Sequence, residues 1–391
     1  METAVIVDAV RTPGGKRNGS LKDWHPVDLL GHTLKAIADR NNLDPALVDD
    51  VITGCVMQVG EQSLNVGRNA LLAAGWPESV PSTTVDRQCG SSQQAMHFAA
   101  QGIMSGQYDI AVASGVECMT RVPMGTSVMG GKMGLPWSQA EMDRYTDRGG
   151  LVSQGISAEM IAEQWGLSRD DLDRFGARSQ ELAARAVDEG RFDREIIPVP
   201  VTDEDGTQRI FDTDEGIRRG TTPETLANLK PAFKDDGVVT AGTSSQISDG
   251  ASAVLIMSES KAKELGLTPR ARFHAFSVVG VDPVTMLTGP IPATQKVLER
   301  AGMSVDDIDL FEVNEAFAPV VLAWEKELKP NMDKVNVNGG AIALGHPLGA
   351  SGTKLMATLL CELERTGGRY GLQTMCEGGG LANGTIIERL G

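Results

Sequence analysis

The sequence has almost no means of cross-linking itself. Its five cysteines, Cys55, Cys89, Cys118, Cys361 and Cys376, are scattered over 391 residues with no CxxC pair. That spacing excludes a disulfide framework and a zinc knuckle and fits a reducing compartment. No run approaches the ~18 consecutive apolar residues that a membrane helix needs. The opening METAVIVDAVRTP has no basic segment ahead of its short apolar run, so it does not read as a signal peptide. Long Lys/Arg runs are also absent. Against 36 basic residues stand 52 acidic ones, for a net charge of −16, which makes a poor surface for nucleic acid. The expectation is a soluble cytoplasmic protein with no membrane insertion and no nucleic-acid partner.

What is present is an ordinary globular composition, 41% apolar and 23% charged, in a chain long enough for two or three domains at about 150 residues each. Residues 4–10 are a short apolar run suited to a buried strand. Residues 26–40 carry Leu30, Leu34 and Ile37 at helical spacing behind Pro26, a favourable first helical residue. Further strands are expected at 51–56, 83–85 and 109–115, with a helix rich in small residues at 91–105. The same grammar returns later, with strands at 271–279, 308–313 and 370–375 and helices at 293–300, 316–328 and 352–364. Leu43 and Val48-Asp49-Asp50-Val51 line up with Met303 and Ile308-Asp309-Leu310-Phe311 at an offset of about 260. The unit beginning at Cys89 lines up with one beginning near Leu348. This alternation predicts an α/β protein with helices layered on buried sheets and a duplicated unit.

From Met119 to Asp249 the texture changes. Gly130-Gly131, Gly149-Gly150, Pro198 and Pro200 interrupt the chain, and charges cluster between Asp203 and Asp214. Ser168-Arg169-Asp170-Asp171 reads as a capped, acidic helix start. The segment reads as an inserted subdomain, either a cover for a site or a structural excursion.

Four places hold groups with chemical potential. Cys89, in Asp86-Arg87-Gln88-Cys89-Gly90-Ser91-Ser92, follows a strand at the mouth of a helix. Unsatisfied N–H groups and the positive end of the helix dipole favour a thiolate there, although position alone equally allows a buried cysteine at a turn. His346, between Gly345 and Pro347, is an imidazole on a constrained backbone just before a helix, a candidate for acid–base work. The surrounding Gly-rich run from Asn336 to Gly349 has neither a P-loop ending nor a GxGxxG fingerprint. Cys376 ends a strand and precedes Glu377-Gly378-Gly379-Gly380, whose N–H groups are free to point at an oxygen, as an oxyanion hole requires. Asn314 closes another strand, where its amide can orient a water or cap its own helix.

In combination and in this order, Cys89-Gly90-Ser91, Asn314-Glu315-Ala316-Phe317-Ala318, Gly345-His346-Pro347-Leu348-Gly349 and Cys376-Glu377-Gly378-Gly379-Gly380 resemble the thiolase family. The resemblance spans the chain, from Arg11-Thr12-Pro13 to Thr240-Ala241-Gly242 and Ser248-Asp249-Gly250-Ala251. It implies a five-layer α-β-α-β-α sandwich of two similar domains, residues 1–118 plus 250–268 and residues 269–391, with an inserted loop domain at 119–249 that binds coenzyme A. It also implies thiolytic cleavage of a 3-ketoacyl-CoA, ping-pong, through an acyl group on Cys89. His346 would be the base, Cys376 the second acid–base group and Asn314 the holder of a water at the enolate oxygen. The N–H groups of Cys89 and Gly378 would hold the tetrahedral oxyanion. Acyl-CoA and CoA are then substrates, and neither a permanently bound cofactor nor a metal is implied. Arg218 matches the family's nucleotide-side arginine, Phe233 a ring near the adenine or pantetheine, and Ser245 a pantetheine contact. Arg219, Lys230 and Lys234 add positive charge nearby. Such enzymes are homodimers or homotetramers.

Two departures shape the reading. Ser153-Gln154-Gly155 stands where the biosynthetic acetoacetyl-CoA enzymes carry His-Met-Gly, which favours a longer or bulkier acyl group. Glu377 takes a place usually held by a small apolar residue, where a carboxylate either raises a thiol pKa or points to solvent. The expectation is a degradative 3-ketoacyl-CoA thiolase. The first alternative is a biosynthetic acetyl-CoA C-acetyltransferase condensing two acetyl-CoA. A ketoacyl-synthase-type condensing enzyme is disfavoured because Asn314 stands where a second histidine is expected. A non-catalytic acyl-CoA-binding protein is disfavoured because all four polar groups are present.

Overall fold

The computed structural model describes residues 2–391, and its strands follow one plan twice. In the first half, β1 (Ala4–Arg11), β2 (Asp50–Gly54), β3 (Ser82–Val85), β4 (Ile110–Cys118) and β5 (Ser248–Ser258) lie in the order β3-β2-β4-β5-β1. β2 runs parallel to β3 and β4, and β5 runs antiparallel to β4 and β1. In the second half, β6 (Ala271–Gly280), β7 (Leu310–Val313), β8 (Tyr370–Glu377) and β9 (Leu381–Arg389) lie in the order β7-β8-β9-β6. The strand senses repeat, and Val335 bridges β7 where a counterpart of β3 would run. Register repeats too: Thr53 pairs with Ser114, and about 260 residues on Val313 pairs with Thr374. Asp49 accepts from the N–H groups of Asp109 and Ile110, and Asp309 does the same for Arg369 and Tyr370. The half-sheets meet at β1 and β6 through Val5–Arg272 and Ile6–Ala271.

Helices α1 (Pro26–Arg40), α2 (Val66–Ala73) and α3 (Ser91–Met104) belong to the first half, while α4 (Gln154–Gln164) and α5 (Arg169–Asp188) lie between β4 and β5. α6 (Pro290–Ala301), α7 (Ala318–Leu328) and α8 (Ser351–Thr366) belong to the second half. Side chains alternate across each strand, and this sorts them into layers. Along β5, Ala253, Leu255 and Met257 pack with α1 residues such as Leu30 and Leu34, while Val254 and Ile256 pack with Met96 of α3 and Leu360 of α8. On the far side, Val297 of α6 and Trp324 of α7 pack with Phe311, Leu372 and Ile386. The layers therefore run α1 and α2, half-sheet, α3 and α8, half-sheet, α6 and α7. Each fully buried Leu contributes about 1.5–3 kcal/mol, and Leu29, Leu30 and Leu34, none of them exposed, join Ile37 and Ala38 in holding α1 on its sheet.

Most of these elements were expected within a few residues of their bounds. β5 and β9 were not. Both are central antiparallel strands, and Ser-Asp-Gly-Ala-Ser at the start of β5 and Ala-Asn-Gly-Thr within β9 are too small and polar to read as strand. Tertiary packing holds them extended. No helix among the described residues is long and apolar enough to cross a membrane.

The long excursion sits at one hairpin. From β4 to β5 the chain runs through residues 119–247, whereas the equivalent β8-to-β9 connection is Gly378-Gly379-Gly380. Within it, Ser168 caps α5 in a reciprocal box with Asp171. A buried ionic clip fastens the excursion to the core. Arg11, at the end of β1, donates from Nε to Glu195 at 2.6 Å and from Nη1 and Nη2 to Asp214 at 2.7 and 2.9 Å. Glu195 also accepts from Thr358 of α8, and Asp214 from the Gly14 N–H. All three charged groups are buried. Removing the cation strands two carboxylates in the interior, so Arg11→Ala is expected to lower unfolding free energy by about 3–5 kcal/mol, read as a lower urea midpoint.

Candidate active site

All four motif residues stand where strands give way to helices or turns: Cys89 after β3, Asn314 after β7, His346 before α8 and Cys376 near the end of β8. In a parallel α/β arrangement this is the end at which N–H groups and helix dipoles converge. Two helix starts meet there. The Ser92 hydroxyl of α3 accepts the Thr353 N–H of α8 at 3.1 Å. Gly54 lies beneath both, close to the Ser91 and Ser92 backbone and to the Gly349 carbonyl. Leu348, two residues from His346, shares a small apolar cluster with Cys89, Val56, Met119 and Met375.

Cys89 is buried and sits just before Gly90, the N-cap of α3, with Gln88 beforehand in the left-handed region at φ 48°. The N–H groups of Cys89 and Gly378 and the side-chain amide of Gln154 lie close enough to its sulfur to favour the ionised form. These three donors stabilise a thiolate, but burial and the charge of Glu377 outweigh them and push the Cys89 thiol up to about 12. The helix-mouth expectation of a favoured thiolate is thus corrected: the resting group is a thiol. Cys376 is fully buried, and burial, then the neighbouring Cys89 and Glu377, push its thiol up as well. Glu377 does not point to solvent; it is fully buried beside the two thiols.

His346 has its tautomer set by its neighbours. Ser351 donates its hydroxyl to the Pro347 carbonyl at 2.9 Å and therefore accepts from His346 Nδ1 at 2.6 Å. The Asn314 amide nitrogen, a donor only, lies 3.3 Å from Nε2. The proton is on Nδ1, and the unprotonated Nε2 accepts from Asn314. Burial, followed by the charge of Lys354, lowers the imidazole to about 3, so it is neutral at ordinary pH. A neutral imidazole with an unprotonated Nε2 can take a proton there by exchanging the Asn314 contact for it. The loop carrying it is fixed at several points. The His346 N–H bonds the Ser248 hydroxyl and the Gln246 carbonyl, and the Gly349 N–H bonds Glu117. Gly345 holds φ 80° beside Ser248, whose hydroxyl a Cβ would strike.

Asn314 does not cap its helix. α7 begins at Ala318, and its N-cap Phe317 makes no side-chain cap bond. Glu315 instead anchors the segment, accepting from Ser179, Asn336 and the Ile342 N–H.

Of the residues expected to meet coenzyme A, two approach this centre. Phe233 rests on Gly155 and packs edge-on against Phe317, with ring centroids 5.7 Å apart. The Ser245 N–H bonds the Ala316 carbonyl at 2.9 Å. Arg218 lies farther out, its N–H held by Gln180 at 2.7 Å, on a cleft of about 480 Å³ that also includes Arg185 and Thr221. Arg219 is paired with Asp188, which leaves Arg218 as the member of that pair without an ion-pair partner among the described residues. No cluster of three or more potential metal ligands occurs among the described residues.

Gln154, Ser351, Glu117 and Ser248 were not singled out as site residues from the sequence. Only Ser351 carried a local signal, one helical turn beyond the constrained Pro347; the others act across long sequence separations. Losing a hydrogen bond to a charged sulfur costs about 1.5–3 kcal/mol. Gln154→Ala is therefore expected to slow iodoacetamide alkylation of Cys89 about tenfold or more, measured by mass-mapped labelling kinetics.

Comparison with known proteins agrees with this geometry. The family described as thiolase, N-terminal domain, matches residues 4–260, and thiolase, C-terminal domain, matches residues 267–389. The chain is 53% identical to a steroid 3-ketoacyl-CoA thiolase of Mycobacterium tuberculosis, over all of this chain and 95% of that protein. It is 46% identical to a 3-ketoacyl-CoA thiolase of Photobacterium profundum over the full length of both. Its fold superposes on the crystal structure of Bacillus anthracis acetyl-CoA acetyltransferase with a TM-score of 0.91 at 40% identity, covering 100% of this chain and 99% of that one. With Cys376 beside Cys89, an amide against the His346 imidazole, a duplicated half-sheet plan and relatives matched end to end, the chain belongs to the thiolase family.

Proposed function

We propose that this protein is a degradative 3-ketoacyl-CoA thiolase acting on a long or ring-bearing acyl group. The observation that carries the reading is the burial of Cys89 with Cys376 beside it, near Gly378 and Gln154, together with a neutral His346 set against Asn314. Relatives named for 3-ketoacyl-CoA and for steroid 3-ketoacyl-CoA support the substrate class. Ser153-Gln154-Gly155 at the start of α4 supports the bulkier acyl group.

The chemistry divides into two halves. His346 Nε2 takes the Cys89 proton as the sulfur attacks the ketone carbon, and the N–H groups of Cys89 and Gly378 hold the resulting oxyanion. One such donor is worth about 3–4 kcal/mol. The bond between the ketone carbon and the α-carbon then breaks, leaving the acyl group on Cys89 and acetyl-CoA as an enolate. Its oxygen is held by the protonated His346 with Asn314, and Cys376 gives its proton to the enolate carbon. In the second half an incoming CoA thiol gives its proton to the Cys376 thiolate and attacks the acyl thioester. Cys89 leaves as thiolate and recovers its proton from His346. Phe233 and Ser245 would line the pantetheine approach and Arg218 the nucleotide end.

The same reading divides the chain into a domain of residues 1–118 plus 250–268, a loop domain at 119–249 and a domain at 269–391. It places the protein in the cytoplasm as a homodimer or homotetramer. Five free cysteines fit a reducing compartment. β3 ends the sheet with an open edge, and the nearby Leu64 is exposed, as a surface for a second copy requires.

Two measurements test the reading. Intact mass after mixing with a 3-ketoacyl-CoA should show one acyl adduct that maps to Cys89 and is absent in Cys89→Ala; an adduct that persists in the variant refutes the assignment. kcat/KM for a ring-bearing or long-chain 3-ketoacyl-CoA should exceed that for acetoacetyl-CoA by about tenfold or more, a difference of about 1.4 kcal/mol. The reverse order would favour the acetyl-CoA acetyltransferase reading, to which the 40% identical structural relative belongs.

A further inference from the structure

β4 and β8 end alike. Glu117 lies three residues beyond Ser114, the partner of Thr53, and Glu377 lies three beyond Thr374, the partner of Val313. Both carboxyl groups are fully buried, and each faces the start of the other half's central helix. Glu117 is satisfied. It accepts from the N–H groups of Val56, Met57 and Gly349 and from the Gln62 amide, at 2.8–3.0 Å. Glu377 has no partner on either oxygen. Its carboxyl lies against Gly90, where a Cβ would collide with it, and the Asn383 amide crowds the same space. Gly349 and Cys89 correspond between the halves. Gly349 gives its N–H to Glu117, whereas neither oxygen of Glu377 receives the N–H of Cys89.

A carboxyl buried without donors is stable as the neutral acid. The titratable groups facing Glu377 are Cys376 on its own strand, Cys89 at the start of α3, and Asp86 and Arg87 in the loop after β3. Burial pushes Glu377 up to about 8 against the pull of Arg87, and Asp86 adds to the rise.

We propose that Glu377 is a positioning residue for the thiol pair, whose protonated form keeps a neutral wall beside Cys89 and Cys376 and whose ionisation closes the site by setting a negative charge next to both sulfurs. Glu377 transfers no proton to substrate and forms no bond with it. It acts through the ease with which Cys89 ionises. This inference rests on the reading of Cys89 and Cys376 as the reacting thiols.

The test compares wild type with Glu377→Gln, neutral at every pH, between about pH 7 and about pH 9.5. Two rates are read: kcat/KM, and iodoacetamide alkylation of Cys89 located by peptide mapping. The ratio of variant to wild type is expected to rise about fivefold or more across that range in both readouts, because only wild type acquires the charge. A flat ratio overturns the proposal. Glu377→Ala provides a second neutral variant with a different shape: its ratio to wild type should rise in the same way, and an alkaline decline persisting in both variants overturns the proposal. Acyl transfer to Cys89 combined with a flat ratio refutes the role of Glu377 alone. No acyl group on Cys89 in wild type refutes the underlying reading of the thiols.

Discussion

The close approach of two helix starts, α3 and α8, is the constraint on which the site depends. It requires residues without side chains at the crossing, because Gly54 sits beneath both and Gly352 lies directly against Gln93. Hydrogen bonds then fix the separation, with Ser92 accepting from Thr353. Cys89 and His346 enter from opposite halves of the chain, and this backbone contact sets their placement relative to one another. Burial follows directly. A junction this tight excludes water, which makes each donor at the Cys89 sulfur count for more and each stray charge cost more.

The ionisation pattern follows from the same dryness. An exposed cysteine at a helix mouth would be a thiolate; in this setting desolvation dominates, and the resting site holds thiols and a neutral imidazole. In the proposed cycle, charge appears when substrate arrives and disappears when product leaves. The Nδ1–Ser351 contact matters for this reason, since it leaves the Nε2 lone pair facing Asn314 and the reacting region. An imidazole with the opposite tautomer would present an N–H on that side and keep its lone pair toward Ser351.

Much of this was legible in the sequence. Pro26, the apolar stripe of α8 and the Asp49/Asp309 correspondence are local or periodic signals, and local signals survive into structure. The four motifs were legible because Gly and Pro constrain the backbone around His346 and Cys376. β5 and β9 were not, since strands of small polar residues owe their form to neighbours far away in sequence. Gln154 was likewise opaque. It was noticed as a departure bearing on substrate size, but its reach to Cys89 arises from an excursion that folds back over more than sixty intervening residues. Glu377 was recognised as unusual, while its burial could only come from the packing of Gly90 against it.

The hairpin that carries the excursion in one half carries three consecutive glycines in the other. Both turns open onto the same end of the sheet, so the duplicated plan divides labour at a single structural address. In the proposed reading the short version turns the Gly378 N–H toward the oxyanion. The long version holds the site's outer lining, and Arg11 ties it to the core through Glu195 and Asp214. Diversification at that corner can alter which acyl-CoA is admitted while the reacting atoms stay where the backbone put them.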